Sequence, residues 1–436
     1  MSATRFASDE KRLSESFSFF TITSEQGICE AIFQACSTKT MLPAPTSTQP
    51  WLAPLVPPFW LFTGIGIYSI ALHYRSLRWP LLSLLLYCDC KGFSASTLWP
   101  WLGVDSVWGL LMCIWTSHSI SMLFLEDPHR LTLDGKGALA EQTWWGKAWP
   151  TWNNIRLLGT PKSELPAGAG SENPPEGRLA FAIRRTAKLV VYVPINRFLL
   201  PRVLPVMFAP LSLADFDAVR QTFLRRLLLS RNNPITLREV YMRTVFALLW
   251  AAPTYIMIDA AHVALSLLFV VVLRVNRPEE WPPVYGDVRE AYTLRGFWGK
   301  FWHRLVVPSY SNIGKLVCQL FGIHAKSLLY RLAVACTVFV LSGAAHAVTA
   351  WQLGDNECWH LDIWWFFLNF VASTIESFLC LKVWSKNGPG DARKLAYGPL
   401  RRSMGYAGVF LFFFWSVPKW QYPKMYSSIM KVMNAI

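Results

Sequence analysis

Charge is scarce in this chain of 436 residues: only 16% are Asp, Glu, Lys or Arg, against about 25% in soluble domains. With 53% hydrophobic residues, that shortage argues against an ordinary soluble protein and for a membrane one. No Asn-X-Ser/Thr sequon occurs, so nothing marks a glycosylated extracellular domain. No internal repeat occurs either, which removes solenoids and weakens a transporter reading. The nine cysteines are scattered, and Cys88, Cys113, Cys318, Cys336 and Cys380 lie in or beside apolar segments, where a thiol behaves as a small hydrophobe. Cys88 and Cys90 alone are too few for zinc, and no metal site is expected. Acidic residues are the scarcer sign, 27 against 42 Lys and Arg, for a net charge of +15. The cations stand between apolar spans, which fits cytosolic membrane loops and not a nucleic-acid surface. Such loops can also attract an anionic cosubstrate.

What is present in quantity is apolar and aromatic, with 22 Trp and 28 Phe, residues that favour bilayer interfaces. Apolar segments at 54–72, 79–98, 101–125, 189–212, 244–273, 329–351, 359–381 and 405–418 predict an all-α polytopic membrane bundle of about seven to nine transmembrane or re-entrant helices. Residues 1–50 are polar and Ser-rich, with no patch long enough for a signal-peptide core. They are expected to be a disordered extension ahead of a membrane domain at 51–436, and Met41 could itself serve as the start. Between 126 and 178 a Pro- and Gly-rich stretch reads as a mobile loop.

Basic residues set the orientation. Residues 276–331 hold Arg277, Arg289, Arg295, Lys300, Arg304, Lys315, Lys326 and Arg331; 382–402 hold Lys382, Lys386, Arg393, Lys394, Arg401 and Arg402; 352–358 hold none. The first two stretches are expected in the cytosol and the third across the membrane. Upstream, 220–243 carries Arg220, Arg225, Arg226, Arg231, Arg238 and Arg243. One crossing by 244–273 would put these on the wrong side, and two crossings need about 40 residues. A bend near Pro253 would resolve the conflict.

The candidate chemistry centres on two histidines. His346 stands in LSGAAHAVTA, within a run from Leu332 to Trp351 that has no formal charge. An ionisable group at such a depth is costly and marks a functional site by default. From Arg331 the helix climbs about 22 Å to His346, past the midplane. Ser342 precedes it by one turn, where its hydroxyl could hold the ring. The bland reading is a tight small-residue helix contact. The second site is WPPVYGDVREAYTLRGFWGKFWHRLVVP, with Trp298 and Trp302 spaced i,i+4 and His303 beside the second. An amphipathic interfacial helix would explain its Trp and Arg residues, but not a histidine so placed before a span carrying another.

WPP-x-Y-G at 281–286, TLRGFWGKFWH at 293–303 and SGAAH at 342–346, in this order, resemble the wax-synthase-like branch of the membrane-bound O-acyltransferases. The likeness is nearest to fungal members that acylate hydroxyls of terpenoid and meroterpenoid metabolites, and is close over 279–350. The resemblance implies that His346 is the catalytic base and His303 its partner. It also implies acyl-CoA, expected to be acetyl-CoA, as cosubstrate with no bound cofactor, an apolar alcohol as acceptor, and the endoplasmic reticulum membrane as location. Arg304 stands where members commonly have Gln, and Ala347 and Val348 where many are polar.

Other residues weigh less. HRLTLD at 129–134 fits H-x4-D, but at the edge of a polar loop. Asp259 and His262, at i,i+3, suit a mutually satisfied pair, half a metal site, or part of the reaction chamber with Trp298, Trp302 and Ser342. Glu376 can be structural. A long-chain acyl donor making wax esters and a proton-coupled transporter are the alternatives.

Overall fold

Every long apolar run in the described part of the computed structural model is helical, and no strand occurs there. The described residues are 55–94, 105–126, 144–158, 160, 176–209, 212–229, 233–386 and 399–435. The expected N-terminal extension, H-x4-D, and 387–398 of the basic connection lie outside them. The main helices are α1 (Val56–His73), α2 (Arg78–Ser94), α3 (Asp105–Ile120), α4 (Trp144–Asn153), α5 (Arg178–Pro194), α6 (Leu237–Leu249), α7 (Ala252–Ser266), α8 (Val307–Leu320), α9 (Leu328–Gln352), α10 (His360–Lys386) and α11 (Pro399–Ala435).

Five stretches are long and apolar enough to cross a membrane: Val56–His73, Ser106–Leu125, Leu237–Val272, Leu328–Gln352 and His360–Cys380. Three expected spans are helical without reaching that standard. α2 has only 17 residues. The segment 189–212 is cut where α5 ends at Pro194 and a wide turn over Ile195–Leu199 leads into a short second helix. The segment 405–418 is one part of α11, which also contains Pro418, Pro423 and several cations.

Two observations bear on the conflict over 220–243. The chain breaks at Trp250–Ala251, and Pro253 falls in the first turn of α7, where its missing N–H costs nothing. The arginines, moreover, are mostly not free surface charges. Glu239, buried in α6, pairs with Arg226 at 2.7 Å, Arg220 at 3.0 Å and Arg243 at 3.3 Å, while Asp215 takes Arg238 at 2.6 Å. Cations neutralised inside the fold say little about which side of the membrane they face.

The loop expected over 126–178 contains a helix. In α4, Trp149 and Trp152 pack together, and Trp152 stacks on Trp115 of α3 with ring centroids 5.0 Å apart. Such pairs contribute about 0.5–1.5 kcal/mol each beyond area burial, enough to hold a short helix in a Pro/Gly-rich context.

α9 and α10 form the antiparallel hairpin that carries His346. Ser327 caps α9 by accepting the Tyr330 N–H at 3.0 Å. Gly354, at φ +90°, reverses the chain, in the left-handed region open to glycine, and Asp355 then accepts the Cys358 N–H at 2.8 Å. The helices touch at Gly343, where a Cβ would lie 2.8 Å from Ile363 Cα and 3.1 Å from Phe366 Cβ. Gly343→Ala is therefore expected to force α9 from α10 at a cost of about 1–3 kcal/mol. The check is the thermal unfolding midpoint in detergent, which should fall; an unchanged midpoint would mean that the helices are not held at this spacing.

Candidate active site

The aromatic block is a folded plug in the core, not a surface helix. Thr293 accepts the Gly296 N–H at 2.8 Å and starts a single turn at Leu294–Gly296. A wider turn over Phe297–Phe301 follows, and the backbone is extended at Trp302. Glu376 of α10 accepts the backbone N–H groups of Leu294 at 3.0 Å and Arg295 at 3.1 Å, so its carboxylate anchors the block. Gly286 donates its N–H to Phe301 O at 2.8 Å, and a Cβ there would come within 2.0 Å of Lys300 O. That contact requires the glycine of WPP-x-Y-G. Arg156, just beyond α4, donates to the carbonyls of Pro283 at 2.8 Å and Pro282 at 2.9 Å, and Arg185 of α5 donates to that of Trp281. Burial lowers the pKa of the Arg156 guanidinium to about 10, with Arg185 the second cause.

Around this plug lies a cavity of about 1360 Å³, above the roughly 300–1,000 Å³ typical for one drug-sized ligand. His303, His346, Trp298, Trp302, Ser342 and His262 all line it. The Trp302 ring stacks on Phe297 with centroids 5.4 Å apart, and 5.6 Å from Trp250. Trp298 donates its indole N–H to Asn369 of α10 at 3.0 Å. Both indoles thus have fixed positions in the wall.

His303 follows directly on Trp302, its ring edge-on to Tyr285 at 5.8 Å. Its Nδ1 is buried without a hydrogen-bond partner. Burial pushes its pKa down to about 3, and His346 adds to the shift electrostatically, so the ring is neutral and near His346. His346 itself stacks on Phe366 of α10, centroids 4.9 Å apart. The Ser342 hydroxyl does not hold that ring: it donates to Val338 O at 2.8 Å. One turn before Phe366, Asp362 accepts from Trp420 and Lys424, each at 2.7 Å.

Asp259 and His262 part company. Asp259 is buried outside the cavity lining, accepts from the Tyr192 hydroxyl at 2.8 Å and pairs with Lys188. These partners lie on α5, so the reaction-chamber role for Asp259 finds no support in its position. His262 faces the cavity, its ring 5.2 Å from Trp281. Among the described residues no three His, Cys, Asp or Glu side chains converge as metal ligands would. Sequence reasoning missed Arg156, Trp250 and Phe366 as parts of the wall. Nothing in their local sequence marks them, because each reaches the site through tertiary packing.

An imidazole pair in an apolar chamber is an arrangement for moving a proton from a weakly acidic hydroxyl. Residues 281–368 match the Membrane bound O-acyl transferase family. An acetyltransferase of Arthrinium sp (atnC) is 37% identical over 122 residues, 28% of this chain and 28% of its own length. Another, of Aspergillus nanangensis (nanB), is 36% identical over 172 residues, 37% of this chain and 39% of its own. A third, of Hericium erinaceus (eriL), is 30% identical over 186 residues, 42% of this chain and 46% of its own. The matched parts thus span less than half of each of these relatives. No solved structure matches the chain. The family match thus falls on the stretch that holds the plug, His303 and His346, in a chain with five helical stretches long and apolar enough to cross a membrane.

Proposed function

We propose that the protein transfers an acyl group, acetyl in the first instance, from acyl-CoA to a hydroxyl of an apolar secondary metabolite such as a terpenoid or meroterpenoid. The observation that carries this reading is the placement of His303 and His346 on one largely apolar cavity. A ring nitrogen of His346 takes the proton of the acceptor hydroxyl as its oxygen attacks the thioester carbonyl carbon. The resulting oxyanion accepts a hydrogen bond from His303. The C–S bond then breaks, the ester is released, and the CoA thiolate leaves, to be protonated by His346. Arg295 and Arg331, both exposed and both on the cavity edge, suit the anionic part of the donor. The same reading places the protein in the endoplasmic reticulum membrane, where cytosolic acyl-CoA and bilayer-dissolved alcohols meet.

The test uses membranes containing the full chain, labelled acetyl-CoA and a panel of polycyclic alcohols. Labelled ester should appear only when protein, donor and alcohol are all present. A well-expressed protein that esterifies none of the panel with acetyl or longer acyl donors would overturn the proposal.

A further inference from the structure

The reaction uses one end of the cavity, yet its walls carry unpaired polarity elsewhere. Buried polar atoms normally find partners, and one left without a partner on a cavity wall marks where a ligand supplies it. His262 Nδ1 and Asn276 Oδ1 are both buried without a partner, and both residues line the cavity. They belong to one arm. The His262 ring lies against Trp281, Trp281 stacks on Phe269 with centroids 5.9 Å apart, and the Asn276 N–H donates to Phe269 O at 3.2 Å. Trp149 joins the same wall, 5.3 Å from Phe269.

The arm stands away from the reacting centre. His303 packs on Tyr285, and Tyr285 on Tyr255 of α7, with centroids 4.2 Å apart. From Tyr255 to His262 the helix advances seven residues, about 10 Å at 1.5 Å per residue. Between the two polar points the wall is mostly apolar, including Ile258 and Ala261. The charges at the two edges also differ. Arg295 and Arg331 stand where the donor's phosphates are wanted, whereas Glu279 and Glu280 are exposed at the rim near Asn276. Three cations, Arg156, Arg185 and Lys188, also stand near His262, but the carbonyls of Trp281, Pro282 and Pro283 and the carboxylate of Asp259 hold them. With two carboxylates at the rim, the arm is left to a neutral molecule.

Resting on the acyl-transfer reading, we infer that the His262 arm is an acceptor subsite, selecting neutral, rigid, largely apolar alcohols that carry a second oxygen at the end of the skeleton remote from the hydroxyl to be acylated. A ketone or hydroxyl at that end takes a hydrogen bond from the His262 imidazole, and a hydroxyl can also donate to Asn276 Oδ1. The polycyclic body lies between, against Trp281 and the α7 wall.

Two acceptors on one skeleton separate the subsite from the chemistry. Epiandrosterone carries a far-end ketone that cannot itself be acylated, and androstanol is the same skeleton without it. With the full-length protein in membranes, kcat/KM should favour epiandrosterone by about tenfold, the scale of one net hydrogen bond, mainly through KM. In His262→Leu the ratio should fall to near one, and His262→Asn, which can still donate, should recover part of it. The wild-type comparison needs no variant to fold. Esterification of both alcohols at equal kcat/KM by the wild type, or a preference that survives in His262→Leu, overturns the subsite and leaves acyl transfer standing. Esterification of neither, nor of any alcohol in the wider panel, overturns both.

Discussion

Membranes containing His346→Gln are expected to form no detectable labelled ester, although the protein inserts and accumulates as the wild type does. The side chain must accept a proton while the acceptor oxygen attacks, and an amide has hydrogen-bonding capacity without basicity. General-base assistance is worth about 10²–10⁴ in rate, so a panel assay that follows wild-type turnover with ease will read the variant as inactive. His346→Ala should behave identically. Ala345 and Ala347 flank the position, alanine is the best helix former, and the main packing loss is the stack on Phe366. Detergent-solubilised size exclusion on matched amounts establishes that both variants fold. If His346→Gln esterifies as fast as wild type, His346 is a packing residue of the α9–α10 contact, and the base lies elsewhere in the cavity.

The hairpin shows which parts of the site the sequence made legible. An imidazole in an uncharged span is visible without a structure, because burial of an ionisable group is costly and rarely accidental. The role of Gly343 was only half visible. Small residues at helical spacing announced close helix packing, but not that Ile363 and Phe366 would be the neighbours. The expected Ser342 contact failed for a local reason. A serine inside a helix has its own carbonyl ladder one turn back, and Val338 O lies closer to hand than the ring.

What the sequence concealed shares one property: distance along the chain. Arg156 reaches Pro282 and Pro283 over more than a hundred residues, and no periodicity announces such a grip. The same holds for Glu376, which anchors the turn at Leu294. The 220–243 arginines say little about orientation for the complementary reason. Counting cations gives orientation only while they face water, and Arg243 is fully buried against Glu239. Asp259 and His262 lie three residues apart on α7, which suggested a joint role. In the fold Asp259 is held by α5 while His262 faces the cavity.

His303→Ala is expected to lower turnover by about 10²–10³, the loss seen when one oxyanion donor is removed, with a smaller change in KM. The residue differs from His346 in the part that must survive substitution. An oxyanion needs a donated hydrogen bond and no proton transfer, so His303→Asn, whose amide N–H₂ can donate, should keep a measurable share of the rate. The pair of histidines is thus separable by the amide test: Gln at His346 inactive, Asn at His303 partly active. Stability supplies a second readout that does not depend on catalysis. Burial holds the folded His303 pKa at about 3, below the unfolded value of about 6.5. Between these values the unfolded chain binds the extra proton, so this contribution to stability is complete above about pH 6.5 and is lost as pH falls towards 3. The thermal midpoint in detergent should drop from about pH 7.5 to about pH 5, and drop less in His303→Asn, which has nothing to titrate there. Wild-type turnover in His303→Ala would remove the oxyanion role. An equal acid-induced drop in wild type and His303→Asn would show that His303 is hydrated and not buried in the chamber wall.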